Sequence, residues 1–451
     1  MQPSPGAAAP VHQRGQLLRI LGVGFGLAVI IGNTIGAGIL RAPGEVAAQL
    51  PVAWMFLGVW IAGGLYALLG AFSISELGAT IPRSGGQYVF AHYALGEYAG
   101  FIVGWSDWLS TCGTTAAVSI VIGEYTGALF SSFEGRTAAI ALSVVIAFAL
   151  LQWRGLRWGS QVQNVTSLLK ALAFIALVAA CFILGGSDSQ SSPDAPVATT
   201  TAPIFLALII ALQAVIYTYD GWAGAVYFSE EVRDPGRDIP RSTFGGVLSI
   251  IAIYLLVNMA FLYVLPVSQI AGEKLAAGAV AQAIFGANGD KVIRGLMILS
   301  MLAGINAYHL MATRVLFAMS RDRLVSDRIV KVNEGGTPTV ALFISAVVSA
   351  LFILSGTFEQ VIAVLAFFFV VNYIMSFVSV FVLRRREPLR PRPYRAWGYP
   401  WTTGLALAGS IAFLGGAVAG DTANSIYALA LLAASYPAFR LLKKIHHTGA
   451  A

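Results

Sequence analysis

The chain has 451 residues, 57% of them hydrophobic and only 11% charged. A soluble globular protein carries about a quarter of its residues as charges, so the composition excludes a water-soluble domain and points to one polytopic membrane bundle. The net charge of +7 then reads as a signal for membrane orientation, not as a nucleic-acid footprint.

Residues 1–19 are polar and small, with no short apolar core and cleavage site behind them, and read as a cytoplasmic tail, not a removable signal peptide. Apolar runs of the about 20 residues that a span needs then follow near 20–48, 52–78, 96–130, 137–152, 158–185, 203–230, 242–265, 290–320, 338–355, 358–383, 402–420 and 423–442. The spacing predicts an all-α protein of about twelve transmembrane helices. Lys and Arg collect in every second connection, as at Arg83, at Arg154 and Arg157, at Arg233, Arg237 and Arg241, and at Arg384, Arg385 and Arg386. The alternate connections 186–202, 356–360 and 420–425 hold none. By the positive-inside rule both termini are cytoplasmic.

Within the first span lies the run Gly32, Asn33, Thr34, Ile35, Gly36, Ala37, Gly38, Ile39. Glycine is a poor helix former, so three within seven positions predict a helix broken at mid-membrane depth. Freed backbone groups cannot face lipid, because each unpaired N–H or C=O costs several kcal/mol there. The break is expected to line a cavity holding a polar ligand. Amides of Ala37, Gly38 and Ile39 head the second half-helix and suit an anion, while carbonyls near Thr34 suit a cation.

Further along, single polar residues stand in apolar surroundings. Glu76 ends span two, and Asp107 stands between Trp105 and Trp108 in span three. A carboxylate buried in a membrane helix marks function by default. Asp107 reads either as a gate or proton-path group or as a partner for Arg83 or Arg154. In span five Lys170 is roughly a dozen residues from either end, too deep to snorkel, so its ammonium must point into the bundle. Span six is interrupted at Tyr217, Thr218, Tyr219, Asp220, Gly221, Trp222 and ends at Glu230 and Glu231. Two interrupted helices five spans apart, entering from opposite sides, point to an inverted-repeat secondary transporter. The repeats are then 20–185 and 203–386, with 400–444 adding two peripheral helices, all in one transport domain.

Four stretches make this chain resemble the amino acid–polyamine–organocation superfamily, and within it the L-type amino acid transporters and bacterial serine/threonine and alanine/serine/cysteine exchangers. They are the run 31–39; Ser75, Glu76, Leu77, Gly78 with Ile81 to Tyr88; Gln163, Asn164, Val165 with Lys170; and Tyr219, Asp220, Gly221, Trp222 with Glu230 to Pro235 and Ile239, Pro240, Arg241. The resemblance implies the LeuT-like fold, with helices 1 and 6 unwound. It places an amino-acid zwitterion at the two breaks, its substrate site comprising residues 33–39 and 217–222. It also implies that Lys170 takes the place of a sodium ion and touches the unwound part of span one near Gly32 to Gly36. One departure is Ala37, where many members have a serine hydroxyl. Eukaryotic L-type members are tied to a glycoprotein through a cysteine between spans three and four; the loop 131–136 has none, so no disulfide-linked heavy subunit is expected. The bacterial relatives point to a cytoplasmic (inner) membrane.

Asp220 matches the Asp-Gly-Trp of bacterial relatives; it reads either as the N-cap of the second half of span six or as a contact for the substrate ammonium. Tyr219 and Trp222 form an aromatic lid or simply pack. Glu76, Glu230 and Glu231 read as inner-gate ion pairs, with Glu76 and Glu230 also candidates for a proton path. Asn306, Tyr308, Asn372 and Tyr373 are candidate lining residues of the side-chain pocket. The five histidines lack metal-ligand spacing, and neither cofactor nor metal is expected. Cys112 and Cys181 read as small core hydrophobes. An intramembrane enzyme is the remote alternative, but no H-E-x-x-H, G-x-S-x-G or nucleotide-binding loop occurs. The function read from these residues is sodium-independent transport of neutral amino acids, by exchange or proton coupling; the alternative is transport of cationic amino acids or polyamines.

Overall fold

The computed structural model describes residues 17–185, 203–355, 358–420 and 422–448. Most of the expected tail and the connection 186–202 lie outside the described residues. The first apolar run forms α1 (Val23–Thr34) and α2 (Gly38–Gln49), and α3 (Ala53–Thr80) follows. The third run is preceded by a short α4 (Gln87–Leu95), which Gly96 joins to α5 (Glu97–Leu129). After α6 (Thr137–Trp153) and α7 (Leu156–Leu184) comes α8 (Ile204–Tyr219), which gives way to a 3-10 turn, Gly224–Phe228. The remainder is α9 (Pro235–Val264), α10 (Val267–Ile270), α11 (Ala276–Phe285), α12 (Gly289–Arg321), α13 (Thr339–Ser355), α14 (Phe358–Arg386), α15 (Trp401–Gly420) and α16 (Thr422–Thr448).

All regular elements among the described residues are helical, joined by two isolated bridges, Leu21 to Val232 and Val332 to Pro338. Among the described residues eight helices are long and apolar enough to cross a membrane, or nine when α1 and α2 count as one span bent by 48°. The chain is thus an all-α polytopic protein. α6 and α13 are apolar but only 17 residues each. Helices α4, α10 and α11 were not legible as separate elements, because each is too short to carry a span-length apolar run.

α1 lies at the centre, packed against α7, α9 and α12, while α5 packs on α12 and α3 on α9. The α1–α9 approach is close because it is made at glycines. A Cβ on Gly246 would meet Ile30 Cγ2 at 2.6 Å, and one on Gly26 would run into Ser242 Oγ. Small residues at helix contacts permit this distance, and the gain is van der Waals contact that lipid cannot supply.

One end of the bundle, here the basic face, is closed by ion pairs. Glu76 accepts from Arg384 at 2.6 and 2.7 Å, lies 3.1 Å from Arg392, and accepts from the amide of Ala396. Glu230 pairs with Arg321 at 2.7 Å, and Arg83 with Asp322 at 2.6 Å. Glu231 receives Nε and Nη2 of Arg314 at 3.1 and 2.9 Å, with both side chains 0% exposed. Losing one member of a fully buried pair strands the other charge, so Glu231→Gln is expected to cost about 3–5 kcal/mol. Glu230→Gln, in a pair more than a quarter exposed on each side, should cost about 1 kcal/mol or less. Thermal unfolding of the two purified variants in detergent checks this; equal midpoints would refute the ranking.

Candidate functional site

A cavity of about 980 Å³ starts at the break between α1 and α2 and runs to the far end of α2, away from the basic face. Seven successive residues, Gly32 to Gly38, line it, joined by Tyr217, Thr218 and Asp220 from the end of α8 and by Lys170 from α7. Both helix interruptions therefore meet at one place.

From Gly32 to Ile35 each carbonyl accepts from a side chain. Lys170 Nζ donates to Gly32 O at 2.8 Å and also to Ile35 O. Ser300 donates to Ile35 O at 2.9 Å, and Tyr308 to Asn33 O at 3.1 Å. The Tyr254 hydroxyl lies 2.9 Å from both Thr34 O and Thr218 O, so its one proton is shared between the ends of α1 and α8. Asn33 Nδ2 donates to Gly221 O at 3.2 Å and ties the two breaks directly. One turn earlier, Ser167 and Gln163 of α7 donate to Ala28 O at 2.7 and 3.1 Å. This set satisfies the backbone that the missing helical bonds release. Lys170 is 0% exposed by residue, and its charge rests on oxygens of the break.

At the start of α2, the amides of Leu40 and Arg41 both donate to Ala37 O at 3.2 Å. The amides at Ala37, Gly38 and Ile39 are then the helix's free N-terminus, where partial positive charge collects.

Several sequence-based expectations need correction. Carbonyls near Thr34 are not left free, since Tyr254 and Tyr308 reach them from α9 and α12. Ile39 is buried in the core and does not line the cavity. Tyr219 and Trp222 do not line it either. Tyr219 donates to Trp60 O at 3.2 Å, and Trp222 stacks on Tyr373 with centroids 5.0 Å apart at 9°. Asp220 caps no helix from the front: it is the residue after α8, and a 3-10 turn follows it. Its Oδ1 accepts from Tyr373 at 2.7 Å. Asp107 is paired with neither Arg83 nor Arg154; both its carboxylate oxygens accept from Tyr227, at 2.8 and 2.9 Å. Asn306 joins Gln152, Gly159 and Gln163 outside the cavity, whereas Tyr308 does line it. Asn372 and Tyr373 border a smaller chamber behind it. Glu76 and Glu230 belong to the ion pairs of the basic face, away from the cavity. Both cysteines are buried and unoxidised.

Sequence reasoning missed the outer half of the cavity, where Arg41 donates to the Tyr125 hydroxyl at 3.0 Å and Arg294 lies 5.3 Å over the Tyr125 ring. It also missed Ser300 and Tyr254, single hydroxyls within apolar helices. Thr114, Val118 and Met301 contribute the less polar wall.

Residues 26–435 match the amino acid permease family. The chain belongs to that family. This permease is 29% identical to the serine/threonine exchanger SteT of Bacillus subtilis over 437 residues, covering 95% of this chain and 98% of that protein. It is 27% identical to the Asc-type amino acid transporter 1 of Mus musculus over 393 residues, covering 85% and 74%. Against the large neutral amino acids transporter small subunit 2 of Homo sapiens it is 27% identical over 394 residues, covering 84% and 72%. This permease is therefore an integral membrane transporter of amino acids and not an enzyme.

Proposed function

We propose that the chain moves neutral L-amino acids across a bacterial cytoplasmic membrane by sodium-independent exchange and alternating access. The carrying observation is the cavity wall formed by seven consecutive residues of the α1–α2 break. A zwitterion needs donors for its carboxylate and acceptors for its ammonium. The amides heading α2 are the donors; the carbonyl ends of α1 and α8, with the buried Thr34 hydroxyl beside them, which has no hydrogen-bond partner among the described residues, are the acceptors. Each backbone carbonyl has two lone pairs, so its side-chain donor leaves room for a second contact. With Ala37 in place of a serine, the carboxylate relies on backbone donors alone.

Lys170 takes the place of a sodium ion in this reading: a fixed cation already rests on the oxygens a bound ion would need. Twelve spans in two inverted repeats, with both termini on the basic, cytoplasmic face, complete the proposed architecture. The sealed basic face and the cavity reaching the other end of α2 then correspond to an outward-facing state.

Radiolabelled uptake into liposomes preloaded with unlabelled amino acids tests the reading. Alanine, serine or leucine should compete, in sodium-free buffer, and putrescine should not, because the α2 amides have no use for a pure cation. Strong competition by putrescine with none by alanine or leucine overturns the neutral amino acid assignment and makes Asp220 the amine site.

The chain is further proposed to work without a second subunit, since the loop 131–136 holds no cysteine. Protein purified alone is expected to exchange amino acids in liposomes at full rate. Activity that appears only on co-expression with a partner refutes this.

A further inference from the structure

Behind the main cavity, among α5, the turn Gly224–Phe228, α12 and α14, lies a chamber of about 20 Å³, room for about one water molecule. Two carboxylates border it, Asp107 from α5 and Asp220 from the end of α8, and no Lys, Arg or His is among its lining residues. Asp220 also borders the main cavity, so it stands between the two spaces. A second observation is independent of the acids. Gln87, Asn33 and Asn372 also border the chamber, each at least nine-tenths buried, and Gln87 Oε1, Asn33 Oδ1 and Asn372 Nδ2 have no hydrogen-bond partner among the described residues.

The groups facing the two acids are neutral. Tyr227 donates to Asp107 and Tyr373 to Asp220. Tyr308 of α12 borders the chamber, and Tyr66 and Tyr217 are within electrostatic reach of Asp220. From α4 the facing group is Gln87. Lys170 borders the main cavity but is engaged by Gly32 O and Ile35 O. Two ionised carboxylates in a space this small, with no cation beside them, repel in a medium that screens them poorly. A single proton removes one charge and supplies a donor that the unpartnered amide oxygens can accept.

We propose that Asp107 and Asp220 hold one proton between them, in a site separate from the amino acid site, and that transport requires this proton. The proposal rests on the transport reading above. It has a definite sign. As pH rises and the proton leaves, the chamber must take two charges and admit water, and the packing of Asn33 on Gly221 that joins the two breaks is disturbed. Exchange should fall on the alkaline side.

The test is exchange of labelled against unlabelled alanine in liposomes at equal pH inside and out, from about pH 5 to about pH 9, a range that lies wholly above the ordinary aspartate titration at about pH 3.9. Wild-type exchange is expected to decline at the alkaline end. Asp107→Asn, which keeps the shape of the protonated acid, should hold its rate there and exceed wild type at the same pH. Tyr227→Phe removes a donor that favours the ionised carboxylate and should move the decline to higher pH. Replacing sodium and potassium by choline should leave the profile unchanged. A flat wild-type profile, or an unaltered decline in Asp107→Asn, overturns the proposal; the latter outcome assigns the titration to another group such as Lys170. A profile that depends on sodium or potassium makes the chamber a metal-ion site and also overturns it. If Asp107→Asn is inactive at every pH, Tyr227→Phe decides: a shifted decline supports the proposal and an unshifted one refutes it. Absence of wild-type exchange at any pH counts against the transport reading instead.

Discussion

Lys170→Ala is expected to fold and to lose uptake by about 100-fold. The residue is buried, and its ammonium donates to Gly32 O and Ile35 O, on either side of the point where α1 ends. Hydrogen bonds to a charged group contribute about 1.5–3 kcal/mol each. Alanine removes both and leaves Gly32 O without its donor, while Ile35 O keeps Ser300. A net loss of about 3 kcal/mol at the step the protein must cross slows it by about two orders of magnitude. The overall fold survives, because α1 is also held by Tyr254, Tyr308, Gln163 and Ser167. Lys170→Met, which keeps much of the volume without the charge, should behave like alanine if charge and not packing is the cause. Uptake into liposomes, alongside a melting curve for each purified variant, measures both parts. Wild-type uptake by Lys170→Ala, or a strict sodium requirement in the parent protein, would remove this residue from the mechanism.

The glycines at the two breaks should separate into one that is needed for the fold and one that is needed for the substrate. Gly221 has φ of +109°, and a Cβ there would stand 2.9 Å from Asn33 Nδ2 and Thr34 Oγ1 and 3.1 Å from the Asn33 carbonyl carbon. Gly221→Ala therefore combines backbone strain with a clash against α1, and a loss of about 3 kcal/mol or more in stability is expected. Gly36 borders the cavity, and a Cβ there would meet nothing within 4 Å. Gly36→Val should melt like the parent yet show no uptake, because its methyls occupy space that the substrate backbone needs. Gly38 lines the cavity as well, but it differs from Gly36 in what a Cβ there would meet. Its Cβ would point at Thr218 Cγ2, 3.0 Å away on α8. A bulky residue at 38 acts by prising α2 from α8. Substrate protection against thermal unfolding, kept in none of the Gly36→Val samples but present in the parent, would separate lost binding from lost folding. Normal uptake by Gly36→Val would show that the substrate does not approach this turn.

Much of this site was legible because the membrane makes certain residues conspicuous. Three glycines in a span and one lysine at a span's centre are costly in lipid unless something compensates, and the structure joins them through Lys170 and Gly32 O. Asp107 was conspicuous for the same reason, but its partner was not: Tyr227 is one of 16 tyrosines, and nothing in its neighbours marks it as the donor. Tyr254, Tyr308 and Ser300 were hidden likewise. A hydroxyl in an apolar helix signals nothing until the helix's rotation is known. Trp222 allowed two readings from sequence, lid or packing, and only its stack on Tyr373, away from the cavity, chooses between them.

By itself, the sequence determined that this chain leaves water, that its spans are helical, where one of them must break, and which charges lie too deep to reach an interface. Those conclusions follow from the cost of moving polar groups into lipid, which depends on residue type and depth alone. Only the tertiary structure decided which side of each helix faces its neighbours, and hence which donors meet which carbonyls. In a soluble helix a polar face would betray that rotation. Here lipid tails are as apolar as the protein interior, so lipid-facing and buried positions carry the same side chains, and helix–helix packing alone tells them apart.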